Sequence, residues 1–187
     1  MTRTGWPGAL LAGGLAGGVA LFLQNVLRDV WQIRTLPERV MEWLLLFVPL
    51  DLFERGVQQL GGDAKEVALA GTVVGMGVLL AAIGALTLRA GWPSWRLLGL
   101  SVAMWAAAMG IVMPVTGAGF FASRLLITPL LTNAGYVLVF LGYGSVLIGG
   151  RLLLSRRGYE PSRTMMAERR ALLAGVIGTL VAGGVAR

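Results

Sequence analysis

The residues best equipped for chemistry are carboxylates: Glu38, Glu42, Asp51, Glu54 and Asp63 fall close together in one stretch of the chain. Paired carboxylates of this kind could form a general acid–base site at a membrane boundary. The alternative use is structural: solvated helix faces, with Glu38 capping a helix. Nothing else in the sequence supplies a partner for catalysis. There is no Cys and no His. That excludes a disulfide, a thiolate nucleophile, a cysteine-held iron–sulfur cluster, a haem between paired histidines and a His-ligated metal. The remaining polar candidates, Gln24, Asn25, Thr72, Thr87, Ser101, Asn133, Ser145 and Thr179, are isolated in apolar surroundings. They could line a wet transport path, although helical Ser, Thr and Asn more often bond a neighbouring helix. The run Gly142-Tyr143-Gly144 has the composition of an ion filter, but it lies inside a helical apolar run, where small-residue packing is the expected role.

These residues are set among long apolar stretches. Val67 to Leu88 holds 22 residues without Asp, Glu, Lys or Arg. At about 1.5 Å of rise per residue, that length crosses a hydrocarbon core of roughly 30 Å. Hydrophobic residues make up 56% of the 187-residue chain and charged residues 13%, about half the charge usual in a soluble domain. Backbone groups cannot stay unpaired in hydrocarbon, and continuous apolar runs lack the alternation of a barrel. The expected fold is therefore an all-α, polytopic transmembrane helical bundle. Residues 1–154 form the bundle, with spans over about 7–27, 67–88, 97–115 and 131–150 and interfacial amphipathic helices over about 37–60. Residues 155–187 form a basic link and a shorter fifth apolar segment over about 171–186.

Local signals support these boundaries. Thr35 precedes Pro37 and Glu38, a capping-box start with Pro early in the helix. Gly61-Gly62-Asp63 turns the chain into the second span, and Trp92-Pro93-Ser94-Trp95 between Arg89 and Arg96 has the composition of an interface turn. Gly13/Gly17 and Gly14/Gly18 make two overlapping small-xxx-small pairs, and Gly71, Gly75, Gly77 and Gly84 provide further positions for close helix approach. Trp105 falls near the middle of the third span, so its N–H is expected to find a partner inside the bundle. Gln24 and Asn25, near the end of the first span, are expected to reach water or headgroups.

The net charge of +7 is distributed as topology signals rather than as a groove for phosphates, so no nucleic-acid partner is expected. Arg3, Arg89, Arg96 and the cluster Arg151, Arg156, Arg157, Arg163, Arg169 and Arg170 fall on one side of the bilayer, with only Glu160 and Glu168 beside them. The positive-inside rule makes that side, and the N-terminus, cytoplasmic. Five spans place Arg187 outside the cytoplasm; four leave it inside. The expected setting is the cell membrane, multi-pass, with the C-terminus extracytoplasmic. The basic cluster also suits anionic lipid headgroups.

Arg169-Arg170-Ala171-Leu172-Leu173, followed by a short Gly/Ala-rich apolar run, is similar to a twin-arginine export signal, with Glu168 where Ser or Thr is more usual. Together with Arg34-Thr35-Leu36-Pro37-Glu38-Arg39, Gly61-Gly62-Asp63-Ala64-Lys65 and the Gly-rich second span, this stretch resembles the membrane-embedded N-terminal region of bacterial molybdopterin-dependent, sulfite-oxidase-type oxidoreductases. The resemblance implies a multi-pass membrane anchor for an extracytoplasmic catalytic domain or subunit, with the bilayer and that oxidoreductase as partners. The family's catalytic domain and its molybdenum-binding cysteine have no counterpart here. No catalytic, cofactor-binding or metal residue carries over, and molybdopterin would belong to the tethered or partner domain. The chain is then either part of a longer protein or a separate anchoring subunit. A small helical transporter or channel subunit is the alternative, and the oligomeric state stays open.

Overall fold

The computed structural model describes residues 5–49, 51, 54, 58, 61–125 and 129–156, and these are all-helical, without a strand among them. We number the helices α1 (Trp6–Trp31), α2 (Leu36–Leu45), α3 (Ala64–Arg89), α4 (Ser94–Val115) and α5 (Pro129–Arg156). All but α2 are long and apolar enough to cross a membrane. The apolar segment 171–186 and the paired arginines Arg169 and Arg170 with Leu172 and Leu173 lie outside the described residues.

Helix α1 is central. It packs on α3 along one side and on α5 along the other; α4 packs on α5, and α2 lies on α3. The reason is legible in α1 itself. Ala9, Ala12, Gly13, Ala16, Gly17 and Ala20 are buried and recur every three or four residues, so small side chains form one continuous face. In lipid the apolar effect gives no preference for helix over acyl chain, so association depends on how closely backbones approach. Large residues such as Leu10, Leu15, Phe22, Val74, Val78 and Leu138 turn outward, where acyl chains solvate them.

The chain reverses through defined caps. Gln32 takes a left-handed conformation (φ 54°) after α1, and the Ile33 N–H returns to the Leu27 carbonyl at 3.5 Å. Gly91 (φ 68°) does the same after α3, with the Trp92 N–H donating to the Thr87 carbonyl at 3.2 Å. The capping box starting α2 is complete. The Glu38 N–H donates to Thr35 Oγ1 at 3.4 Å, and the Thr35 N–H donates to Glu38 Oε2 at 3.0 Å. Thr35→Ala is expected to destabilise the fold by about 1 kcal/mol, measurable as a lower midpoint in thermal unfolding in detergent. Helix α2 stops at Leu45, where the Leu46 N–H falls back on the Trp43 carbonyl.

Helix α4 contains a π-turn over Ala108–Val112. Pro114 explains it: proline offers no N–H, and its ring collides with the carbonyl four residues back, at Gly110, unless the helix widens there. Two apolar clusters result. One joins α1, α3, α4 and α5 around Leu80, Leu97, Tyr143 and Leu147. The other joins Ile33 and Leu36 to Met109, Met113, Tyr136 and Phe140, at the end of the bundle where α1 stops and α5 starts.

Candidate functional site

The densest polar arrangement lies where α1 ends, α2 begins and the first turns of α5 pass. Gln24 is buried in the last third of α1, and its Oε1 accepts the Leu36 N–H at 2.9 Å. Gln24 is thus not turned to water or headgroups as its position near the helix end suggested. The chain folds back after Trp31, covers it with the start of α2, and makes it the acceptor for a first-turn N–H that has no partner within its own helix. Tyr136, buried on α5, donates its hydroxyl hydrogen to the Arg34 carbonyl at 2.7 Å. Glu38 pairs with Arg28, and Glu42 pairs with Arg34 at 2.8 Å. Three helices are thereby tied to one short connection.

The carboxylates do not converge. Glu38 serves the cap and the pair with Arg28; Glu42 is exposed and paired; Asp51, Glu54 and Asp63 are exposed on the later turns. Among the described residues no three of His, Cys, Asp or Glu come together to hold a metal ion.

The polar residues inside the spans are used locally. Asn25, Thr72, Thr87, Ser101 and Thr116 each bond a carbonyl of their own helix. Asn133 bridges the Phe121 and Pro129 carbonyls, both at 2.8 Å. Ser145 is exposed, and Thr179 lies outside the described residues. Trp105 points into the second cluster beside Phe121, but its buried Nε1–H meets no acceptor among the described residues, against the expectation of a partner.

Gly142-Tyr143-Gly144 is helical and close-packed. Tyr143 is fully buried and donates to the Leu80 carbonyl on α3 at 2.8 Å; the side chain of Ser101 occupies the space a Cβ on Gly144 would need. Tyr143→Phe removes one interhelical bond, but the Leu80 carbonyl keeps its helical partner. The expected loss is only about 0.6 kcal/mol, read from unfolding in mixed micelles.

The sequence-selected glycines divide into two sets. A Cβ on Gly13 would strike the α3 backbone at Ala81 and Ala85, and one on Gly17 would approach the Gly77 carbonyl to 3.3 Å. A Cβ on Gly14, Gly18, Gly71 or Gly75 meets nothing within 4 Å. Sequence reasoning missed Tyr136, although it lies two turns from Tyr143 on the same helix face, and it used Arg39 only within the stretch that carries the family resemblance. Arg39 is 7% exposed, and its Nε has no partner among the described residues.

At the opposite end of the bundle the Arg89 guanidinium stacks 3.8 Å from the centre of the Trp6 ring, Arg96 lies over Trp95, and Arg151 donates to Ser94 Oγ at 2.9 Å. Indole and guanidinium together are the side chains expected at a headgroup boundary. Comparison with protein-family models, curated proteins and solved structures returns no match.

Proposed function

We propose that the chain is a multi-pass membrane anchor that holds an extracytoplasmic molybdopterin-dependent oxidoreductase domain or subunit and performs no catalysis itself. The observation that carries the reading is the use of its polar groups. The described carboxylates are exposed, paired or capping, and the bonded in-span amides and hydroxyls go to carbonyls of their own helices, to a helix end or to a neighbouring helix. A bundle tied in this way supplies tethering that a single acyl chain does not match. The resemblance of Arg34–Arg39, Gly61–Lys65 and the Arg169-Arg170 segment to the membrane region of that family supplies the identity of the cargo. The chain has no Cys, so a molybdenum-binding thiolate cannot come from it, and the cofactor belongs to the cargo.

Orientation follows from charge. The end bearing Trp6, Arg89, Trp95, Arg96 and Arg151 is the cytoplasmic one under the positive-inside rule, and the corner around Gln24, Glu38 and Tyr136 is extracytoplasmic. A fifth crossing by residues 171–186 carries Arg187 to the same side as that corner.

The test is purification of the tagged chain from its native membranes, with molybdenum and pterin measured in the eluate. Stoichiometric molybdenum is expected. Full recovery of the protein without molybdenum or pterin overturns the reading, and ion or solute flux through vesicles containing the chain alone would favour a transporter. Reporter fusions after Ser155 and after Arg187 should report the cytoplasmic and the extracytoplasmic side, respectively.

A further inference from the structure

Arg39 is a guanidinium buried at a bundle corner, and neither ion pair of that corner includes it. Arg28 is paired with Glu38 and Arg34 with Glu42, while Asp29, near the end of α1, is exposed and joins no ion pair among the described residues. The first-turn N–H groups of α2 are also taken. Leu36 donates to Gln24, Glu38 to Thr35 Oγ1 and Arg39 to the Thr35 carbonyl. The Arg39 side chain lies against the Tyr136 hydroxyl, whose hydrogen is committed to the Arg34 carbonyl. What remains is the buried, unpartnered Nε–H, on a side chain 7% exposed. A guanidinium N–H withdrawn from water needs an oxygen acceptor, and an anionic one also offsets the charge, because arginine cannot shed its proton.

We propose that Arg39 is the centre of a binding site for one phosphate-type oxyanion, independently of what the anchor holds. The guanidinium fork matches phosphate oxygens. The depth is right for a phospholipid. Helix α2 follows directly on the end of a spanning helix, and the apolar run Leu44, Leu45, Leu46, Phe47 and Val48 at and just past its C-terminal end is exposed, as in an interfacial helix whose apolar side enters the acyl region. The anion met at that depth is the headgroup phosphodiester. A free phosphate ion offers the same chemistry from solution.

The full chain, delipidated in a nonionic detergent, is titrated with phosphatidylglycerol micelles, with inorganic phosphate and with acetate at matched ionic strength, while thermal unfolding is followed. Phosphatidylglycerol should raise the midpoint by about 3 °C. Arg39→Gln should abolish the rise, Arg39→Lys should weaken binding about tenfold by losing the fork, and Arg34→Gln should leave it intact. Native mass spectrometry of the wild-type chain should show one retained phospholipid. A rise with inorganic phosphate as large as that with lipid supports the site and names the free ion as its occupant. The proposal is overturned by a wild-type chain that retains no phospholipid and responds to neither phosphate source, by an equal response in Arg39→Gln, or by a response to acetate alone. If Arg39→Gln does not fold, Arg39→Lys and the wild-type measurements decide.

Discussion

Gly13→Ala and Gly84→Ala should each cost about 2–3 kcal/mol of bundle stability, while Gly14→Ala and Gly18→Ala should be neutral or stabilising by about 0.5 kcal/mol. One methyl group separates the two outcomes. At Gly13 the added Cβ would fall 2.8 Å from the Ala85 nitrogen and closer still to the Ala81 carbonyl oxygen, both backbone atoms of α3. At Gly84 it would fall 2.9 Å from the Gly13 Cα and 2.9 Å from Leu147 Cδ2. No rotamer change relieves a backbone contact. The helices must separate, and every dispersion contact along Ala9, Ala12, Ala16 and Ala20 weakens with distance. Gly14 and Gly18 have open space, so a methyl there only improves helix propensity. Gly17→Ala should fall between, since its neighbours stand at 3.3 Å. The two costly positions share one interface, so the double variant should cost less than the sum. Unfolding free energies in mixed micelles decide. Equal effects at Gly13 and Gly14 would mean that α1 does not present this face to α3.

The same contrast shows what the sequence makes legible and what it hides. Hydropathy and lipid physics suffice for four helical spans, because a charge-free run such as Val67–Leu88 has no stable alternative in a bilayer. Thr35, Pro37 and Glu38 announce the start of α2 by local capping chemistry alone. Which glycines pack is another matter. Gly13/Gly17 and Gly14/Gly18 are equivalent as spacing, and only the company of Ala9, Ala12, Ala16 and Ala20 on one face distinguishes them. The polar corner was less legible still. Gln24 sits near a helix end, where solvation is the simplest expectation; its burial depends on the left-handed turn at Gln32, which sends Thr35 and Leu36 back over α1. Tyr136 meets Arg34 across 102 positions of sequence, a pairing that no local pattern encodes. The π-turn had a signal, Pro114 after a run of helix formers, but proline alone does not choose between a kink and a widened turn.

Gln24→Leu is the second large effect, expected at about 2 kcal/mol and concentrated in one place. The substitution keeps the apolar volume of α1 and deletes the acceptor of the Leu36 N–H, which then stays buried without a partner. An orphaned buried donor carries its full desolvation penalty, about 1–3 kcal/mol, whereas losing one of two bonds at an acceptor costs far less. This asymmetry is why Gln24→Leu should exceed Tyr143→Phe severalfold, although each removes a single interhelical hydrogen bond at 2.9 and 2.8 Å respectively. Gln24→Asn should recover little, because the shorter amide does not reach α2. The damage should appear as faster amide hydrogen exchange at Leu36 and its neighbours in α2, with α3 and α4 unchanged. It should be non-additive with Thr35→Ala, since both variants loosen the same first turn. Uniformly faster exchange along all helices would instead show that Gln24 supports the whole bundle. Unchanged exchange at Leu36 would mean that this N–H has another acceptor, and that the fold-back of the chain after Trp31 is not held by the Gln24 amide.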